Sequence, residues 1–151
     1  MLTVDDVMTP QVITTNDDQT IKNAARVMAN HGISSLVVFS ADGLKGILTE
    51  KDIVTRVVCA GLDPSEVCVS EVMSEPVIVI TPNTRLEKAV DIMLKHNIKK
   101  LPVMEKMDES YVLSGILSLL DVARVHPDVK NSLKNMVHTE TESIAPAFYV
   151  C

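Results

Sequence analysis

The sequence is poor in aromatic residues and in positive charge. Its 151 residues include no tryptophan, two tyrosines and two phenylalanines, and the formal net charge is −6 at pH 7. A nucleic-acid-binding surface usually combines a basic stripe with aromatic side chains on which bases stack. The composition therefore argues against a nucleic-acid partner. Retention of RNA by the protein at physiological salt would be evidence for one.

Cysteines are few and long apolar runs are absent. Cys59, Cys68 and Cys151 are odd in number and have no C-x-x-C spacing, so neither a disulfide framework nor a zinc site is indicated. No segment approaches the ~20 apolar residues that span a bilayer, and the first residues lack the basic flank and apolar stretch of a secretory signal. We therefore expect no metal site, no membrane partner and a cytoplasmic protein.

Signatures of catalysis are also missing. The sequence contains no Gly-x-Ser-x-Gly elbow, no GxxxxGK[ST] loop and no isolated catalytic cysteine motif. A hydrophobic content of 46% is enough to form a folded core. We expect a folded protein that is not an enzyme and has no catalytic cofactor.

The chain contains an internal repeat. DVMTPQVITT at residues 6–15 aligns with EVMSEPVIVI at 71–80, and VMANHGISSLVV at 27–38 aligns with IMLKHNIKKLPV at 92–103. Both alignments have the same offset of 65 residues. Internal repeats of this kind indicate that one structural unit is used twice.

A third match completes the repeat. GILTEKD at residues 46–52 aligns with GILSLLD at 115–121, and the offset is now 69 because the preceding loop is four residues longer in the second copy. We predict one repeat at residues 1–62, a second at 63–127, and a C-terminal helix and tail at 128–151.

Each copy has the same pattern of predicted elements. A short extended segment precedes an amphipathic helix, and two strands and a second helix follow. The predicted fold class is mixed α and β, with two βαββα units packed sheet to sheet. Thr84 and Glu87 have the spacing of a capping box at the start of the second amphipathic helix. The apolar faces of the two helices are Ile21, Ala24, Ala25 and Met28, and Leu86, Ala89, Val90 and Met93.

The hydroxyl residue and aspartate of the third match have two interpretations. Thr49 and Asp52, like Ser118 and Asp121, have the spacing of a helix N-cap and its third helical residue, which is a purely structural arrangement. Such boxes favour the longer Glu or Gln at that position, however, and the preceding glycine leaves room for another group beside the backbone. A short carboxylate there could accept both hydroxyls of a ribose.

These repeated segments resemble a known family. The order VMTPQVITT, AARVMANHGISSLVV and LKGILTEKDIV, with a second copy ending LSGILSLLDVA, is similar to a tandem pair of cystathionine β-synthase (CBS) domains, a Bateman module. The resemblance covers residues 4 to about 126. It implies two βαββα repeats packed about a pseudo-two-fold axis, with two clefts. In many members these clefts bind AMP, ADP, ATP or S-adenosylmethionine and regulate an attached or partner protein.

The resemblance also implies roles for individual residues. Asp52 and Asp121 would hold ribose hydroxyls, and Thr49 and Ser118 would bond ribose or phosphate oxygens. The other predicted contacts form the adenine walls and the phosphate side of each cleft. They are Ile33, Ser34, Ser35, Gly46 and Ile47 in the first copy, and Ile98, Lys99, Lys100, Pro102, Gly115 and Ile116 in the second.

The two copies differ at the predicted phosphate side. Lys99 and Lys100 occupy the positions of Ser34 and Ser35, and lysines neutralise a phosphate whereas serines only hydrogen-bond to it. We predict a tighter, phosphate-dependent site in the second copy and a weaker or nucleoside-selective site in the first. A solvated pair of lysines at a strand entrance is the alternative.

The copies also differ at the start of the last helix. Leu119 and Leu120 replace Glu50 and Lys51, and exposed apolar residues often mark interfaces. We predict a homodimer formed through Leu119 and Leu120, with burial inside one chain as the alternative.

The predicted function is that of a ligand sensor, in which an adenine nucleotide regulates an unknown partner protein on a separate chain or beyond Cys151. The alternative is an assembly module with empty clefts, or one that binds S-adenosylmethionine or a divalent cation.

Overall fold

The computed structural model describes residues 1–127, so the helix and tail predicted at 128–151 lie outside the described residues. The fold is mixed α and β, as predicted. It divides into two compact units. We call Gln11–Val79 the central unit, and Met1–Pro10 together with the chain from Ile80 onward the split unit. The compact units differ from the predicted repeats at 1–62 and 63–127, because residues 1–10 belong with the second repeat and residues 63–79 with the first.

The central unit contains a three-stranded sheet and short helices. Its strand order is β1-β2-β3, with β1 parallel to β2 and β2 antiparallel to β3. A π-helical turn at Val54–Val58 extends the helix that follows the sheet. The elements are β1 (Thr14–Asn16), α1 (Ile21–His31), β2 (Ser35–Ser40), β3 (Gly43–Thr49), α2 (Glu50–Ile53) and α3 (Val69–Val72).

The split unit repeats this order with a reduced first strand. Ile80 alone pairs in parallel with Val103, at the place where Thr15 of β1 pairs with Val38 of the central unit. The short extended segment predicted before the second amphipathic helix is therefore reduced to one bridge, at Ile80. The elements are a 3-10 turn (Val4–Asp6), α4 (Leu86–His96), β4 (Lys100–Met107), β5 (Ser110–Ser118) and α5 (Leu119–Val125).

The four additional residues of the second copy lengthen its hairpin. Strands β4 and β5 have 8 and 9 residues, and strands β2 and β3 have 6 and 7, so each strand gains two. The added end, at residues 105–112, is exposed. The change in repeat offset therefore occurs away from the segments that carry the predicted site residues.

The amphipathic helices bury most of the predicted apolar faces. In α4 the side chains of Leu86, Ala89, Val90 and Met93 are all buried. In α1, Ile21, Ala24 and Met28 are buried and Ala25 is half-buried. Both helices end at a residue with positive φ, which glycine and asparagine tolerate best: Gly32 at 61° and Asn97 at 51°.

The predicted capping box of Thr84 and Glu87 is wrong. Helix α4 begins one residue later, at Leu86, with Arg85 as its N-cap. The N–H of Leu86 instead donates to the carbonyl of Leu2 at 3.1 Å. The N-terminal segment thus satisfies a helix donor that a side chain was expected to satisfy. Among residues 1–127, no helix is both long and apolar enough to cross a bilayer.

Candidate functional site

The repeated Gly-Ile-Leu segment pairs with a Val-Met segment in each unit. In the central unit Ile47 and Ser74 exchange two backbone hydrogen bonds, of 3.1 and 2.8 Å. In the split unit Ile116 and Thr9 exchange two of 2.9 Å. Each unit therefore uses the same backbone contact to hold a segment that comes from a distant part of the sequence.

The repeated glycines allow this approach. A Cβ on Gly46 would lie 2.6 Å from the Ser74 carbonyl oxygen. A Cβ on Gly115 would lie 2.6 Å from Sδ of Met8 and 2.9 Å from the Thr9 carbonyl oxygen. The close neighbour expected at each glycine is thus the protein's own chain, and this packing accounts for the glycine in both copies. A ligand contact at either glycine stays a prediction.

In the central unit, Thr49 and Asp52 form the reciprocal capping box at the start of α2. The Asp52 N–H donates to Oγ1 of Thr49 at 3.2 Å, and the Thr49 N–H donates to Oδ2 of Asp52 at 3.0 Å. The sequence preference for the longer Glu or Gln at this position suggests that aspartate is too short for the role, but the Asp52 carboxylate does reach the Thr49 N–H. The structural interpretation of this motif is therefore correct for the first copy, whatever else the carboxylate does.

The second oxygen of Asp52 is also occupied within the unit. Oδ1 accepts a hydrogen bond of 3.0 Å from the Ser74 hydroxyl and lies 3.7 Å from Nη1 of Arg56. The same Nη1 donates to the carbonyl oxygens of Val72 at 2.7 Å and Met73 at 3.0 Å. Asp52 is consequently buried, with 7% of its surface exposed.

Sequence reasoning missed Ser74 and Arg56. Two signals could have found them. Ser74 aligns with Thr9 in the repeated Val-Met segment, so both copies keep a hydroxyl there. Arg56 is four residues after Asp52, a spacing at which helical side chains meet.

In the split unit, Ser118 and Asp121 are less constrained. The Asp121 N–H donates to Oγ of Ser118 at 3.0 Å, which confirms Ser118 as the N-cap of α5. Within the described part of the chain, Arg124 is the one polar partner of the Asp121 carboxylate, at 3.4 Å from Oδ1. The side chain of Asp121 is 21% exposed, against 10% for Asp52.

The residues before β2 and β4 lie beside these helix starts. The Ser34 carbonyl accepts from Glu50 N–H at 3.0 Å, and the Lys99 carbonyl accepts from Leu119 N–H at 2.8 Å. The structure therefore brings the Ser or Lys position next to the hydroxyl and aspartate in each copy. Around them, Ser34 and Lys99 are exposed, Ser35 is buried, and Ile33, Ile47, Ile98, Lys100 and Ile116 are half-buried.

Pro102 has a structural contact of its own. It lies in β4 opposite Ile116, and its carbonyl accepts a hydrogen bond of 3.1 Å from Ile80 N–H. Its side chain is buried. Pro102 therefore helps to hold the single parallel bridge of the split unit, and its predicted ligand contact stays a prediction.

The two leucines at the start of α5 have different environments. Leu119 is 5% exposed and belongs to the core, so the prediction that it forms an exposed interface is wrong. Helix α5 points this side chain inward, which is the alternative considered from the sequence. Leu120 is 63% exposed and stays a candidate for an interface. Across residues 1–127, no three His, Cys, Asp or Glu side chains are grouped so that they could hold a metal ion.

Comparison with protein families gives a match to both copies. The CBS domain family matches residues 4–58 and 69–128. The CBS domain-containing protein YhcV of Bacillus subtilis is 39% identical over 123 residues, which cover 82% of this chain and 84% of that protein. Hypoxic response protein 1 of Mycobacterium tuberculosis is 30% identical over 129 residues, which cover 85% of this chain and 87% of that protein.

Solved structures have the same fold. A crystal structure of hypoxic response protein I with two coordinated zinc ions superposes with a TM-score of 0.71 and 29% identity, covering 82% of this chain and 98% of that one. A hexameric CBS-CP12 protein from bloom-forming cyanobacteria gives a TM-score of 0.71 and 29% identity, covering 82% of this chain and 70% of that one. These likenesses extend across both copies.

Proposed function

Because this chain belongs to the CBS domain family and carries two copies of the domain in tandem, we propose that it binds an adenine nucleotide (AMP, ADP or ATP) and regulates a partner protein. Pairs of this domain often bind adenine nucleotides. The observation that carries the proposal is the partly exposed Asp121 carboxylate, one helical turn after the Ser118 hydroxyl. The backbone of Lys99 lies beside the same helix start, because its carbonyl accepts a hydrogen bond from the Leu119 N–H.

The chemistry of these groups suits a nucleotide. An ionised carboxylate only accepts hydrogen bonds, and the two hydroxyls of a ribose can donate to it together. The Ser118 oxygen accepts from a backbone N–H, so its own O–H is left to donate to a ribose or phosphate oxygen. The ammonium of Lys99 is a cation for the phosphate. The first copy has Ser34 at the matching position, so phosphate recognition belongs to the second copy.

The output of binding is a conformational shift that a partner reads. Its size is limited by the difference in nucleotide affinity between the two conformations. The protein acts as a homodimer through a surface that includes Leu120, which is 63% exposed.

A second candidate is an assembly module without a nucleotide. Three exposed apolar side chains support it: Val54 at 53%, Val58 at 67% and Leu120 at 63%. A solved relative with this fold is hexameric. A divalent cation is less well supported, because residues 1–127 offer no group of three metal-ligating side chains.

Calorimetry distinguishes these functions. Wild-type protein is titrated with AMP, ADP, ATP, adenosine and S-adenosylmethionine. We expect a nucleotide to bind, and Lys99→Ala to weaken it at least about threefold, or ~0.7 kcal/mol, while affinity for adenosine is unchanged. Exposed Lys51→Ala is the control. Equal losses for nucleotide and adenosine contradict phosphate recognition by Lys99. If no adenosine compound binds to folded wild type, the assembly module replaces the sensor.

A further inference from the structure

We infer that the two repeat-equivalent aspartates have divided roles: Asp52 is a structural tie inside the central unit, and the chain binds one nucleotide, at Asp121. This inference rests on the proposed function for its ligand, but its structural half is independent of any ligand. It differs from the expectation of two nucleotide sites that the repeat itself suggests.

Asp52 already has partners for both carboxylate oxygens. Oδ2 accepts from the Thr49 N–H, and Oδ1 accepts from the Ser74 hydroxyl and faces Arg56. These partners belong to three separate segments of the central unit: the end of β3, the helix after it and the segment that pairs with Ile47. The carboxylate therefore holds the segment at Ser74 against the start of α2.

A ribose gains little by replacing these bonds. Its two hydroxyls would exchange existing charge-assisted hydrogen bonds for new ones, and such exchanges contribute little net free energy. The bonds from Thr49 and Ser74 to Asp52 lie within the protein and cost no entropy of association. A nucleotide, in contrast, loses translational and rotational entropy when it binds. Only 7% of Asp52 is exposed, so a ribose must also displace its neighbours.

The second copy does not form this tie. Thr9, at the place of Ser74, keeps a hydroxyl, but among the described residues the Asp121 carboxylate accepts no hydrogen bond from it, and Val125, which has no side-chain donor, stands in place of Arg56. Asp121 keeps the bond from its own N–H to Ser118 but, among the described residues, its carboxylate does not reach back to the Ser118 N–H. Its one ion pair is with Arg124, whose side chain is 69% exposed. A ribose can therefore replace water at Asp121 with fewer lost protein contacts.

The experiment compares Asp52→Asn with Asp121→Asn in the full-length chain. Calorimetry with AMP, ADP or ATP, whichever binds wild type, gives the number of nucleotides per chain and the affinity. Urea unfolding without nucleotide gives the midpoint. We expect one nucleotide per wild-type chain. Asp121→Asn should weaken binding at least about tenfold with little change in midpoint, and Asp52→Asn should lower the midpoint and change the affinity less than about twofold.

Ser74→Ala serves if Asp52→Asn does not fold. It removes one partner of Asp52 and should also lower the midpoint while one nucleotide still binds. Two nucleotides per wild-type chain, or loss of binding in Asp52→Asn at an unchanged midpoint, overturns the inference. If wild type binds no nucleotide, the proposed function fails, and the site at Asp121 fails with it. The urea midpoints of Asp52→Asn and Ser74→Ala then still test the structural role of Asp52: lower midpoints than wild type support it, and unchanged midpoints contradict it.

Discussion

The carbonyl oxygen of Ser74 lies 2.6 Å from the point that a Cβ on Gly46 would occupy. The oxygen belongs to the backbone and accepts a hydrogen bond from the Ile47 N–H, so it cannot move away without losing that bond. We therefore expect Gly46→Ala to lower the free energy of unfolding by about 1 to 3 kcal/mol, as other overpacked substitutions do. Urea unfolding measures this loss.

Gly115→Ala tests the same contact in the split unit. Its nearest neighbour is Sδ of Met8, at the end of a flexible side chain, and the Thr9 carbonyl is 2.9 Å away. Gly115→Ala should thus destabilise less than Gly46→Ala. Exposed Lys51→Ala is the control and should change the unfolding free energy by less than about 0.5 kcal/mol. Full stability of Gly46→Ala would show that the pairing of Ile47 with Ser74 is not tight in solution.

Arg56 should contribute to stability although its side chain is half exposed. Its Nη1 donates to the carbonyls of Val72 and Met73, at the end of α3. Arg56→Met keeps the aliphatic stem and removes the donor, so those carbonyls and Asp52 lose a charged partner. We expect a loss of about 1 to 2 kcal/mol in urea unfolding, less than for a fully buried charged bond.

Arg124→Met is the matched control for this substitution. Arg124 pairs with Asp121 at the surface, where an ion pair contributes little. Its replacement should cost less than about 0.5 kcal/mol. Similar losses for the two arginines would mean that the Arg56 bonds to Val72 and Met73 are no stronger than a surface ion pair.

Much of the fold could be predicted because the signals are local and occur twice. Thr49 and Ser118 are N-caps, in agreement with the structural interpretation of their spacing. Gly32 and Asn97, of the two residue types that best tolerate positive φ, end α1 and α4. Their neighbours in sequence are sufficient to determine these conformations.

The features that the sequence does not predict mostly involve contacts between distant segments. Arg85 replaces Thr84 as N-cap because the Leu2 carbonyl binds the next N–H. Asp52 is tied by Ser74, which is 22 residues away. Leu119, the first residue of α5, is buried. A single sequence gives the spacing of such residues but not the segment that reaches them.

Stability should fall in acid partly through two surface carboxylates. Hydrogen bonds from the Thr3 N–H and hydroxyl hold the pKa of Asp6 below its ordinary value of 3.8. Hydrogen bonds from the Ser65 hydroxyl and N–H lower the pKa of Asp63 in the same way. A folded-state pKa below the unfolded one contributes stability that is present above pH 3.8 and lost as pH falls through the folded-state value.

The doubly substituted protein Asp6→Asn/Asp63→Asn tests this effect. Between about pH 5 and about pH 3, its urea midpoint should fall less steeply than that of wild type, because asparagine has no proton to gain. If the double variant has the wild-type slope, Asp6 and Asp63 do not contribute to the loss of stability in acid.

Leu120, and not Leu119, should control self-association. Leu120 is 63% exposed next to a buried Leu119, so a charge at position 120 disturbs a partner surface and leaves the core intact. We expect wild type to sediment as a dimer and Leu120→Glu as a folded monomer, because an unpaired carboxylate is costly in an apolar interface. Leu119→Ala should instead lower the free energy of unfolding by about 2 to 5 kcal/mol.

The control for Leu120→Glu is Met107→Glu, which places the same charge on an apolar residue that is 57% exposed at the end of the lengthened hairpin. It should leave the dimer unchanged, because the proposed interface contains the start of α5 and not the hairpin. Sedimentation over a range of protein concentrations separates a weakened dimer from a lost one. A wild type that is monomeric throughout that range, or a Leu120→Glu protein that dimerises like wild type, rules out this interface.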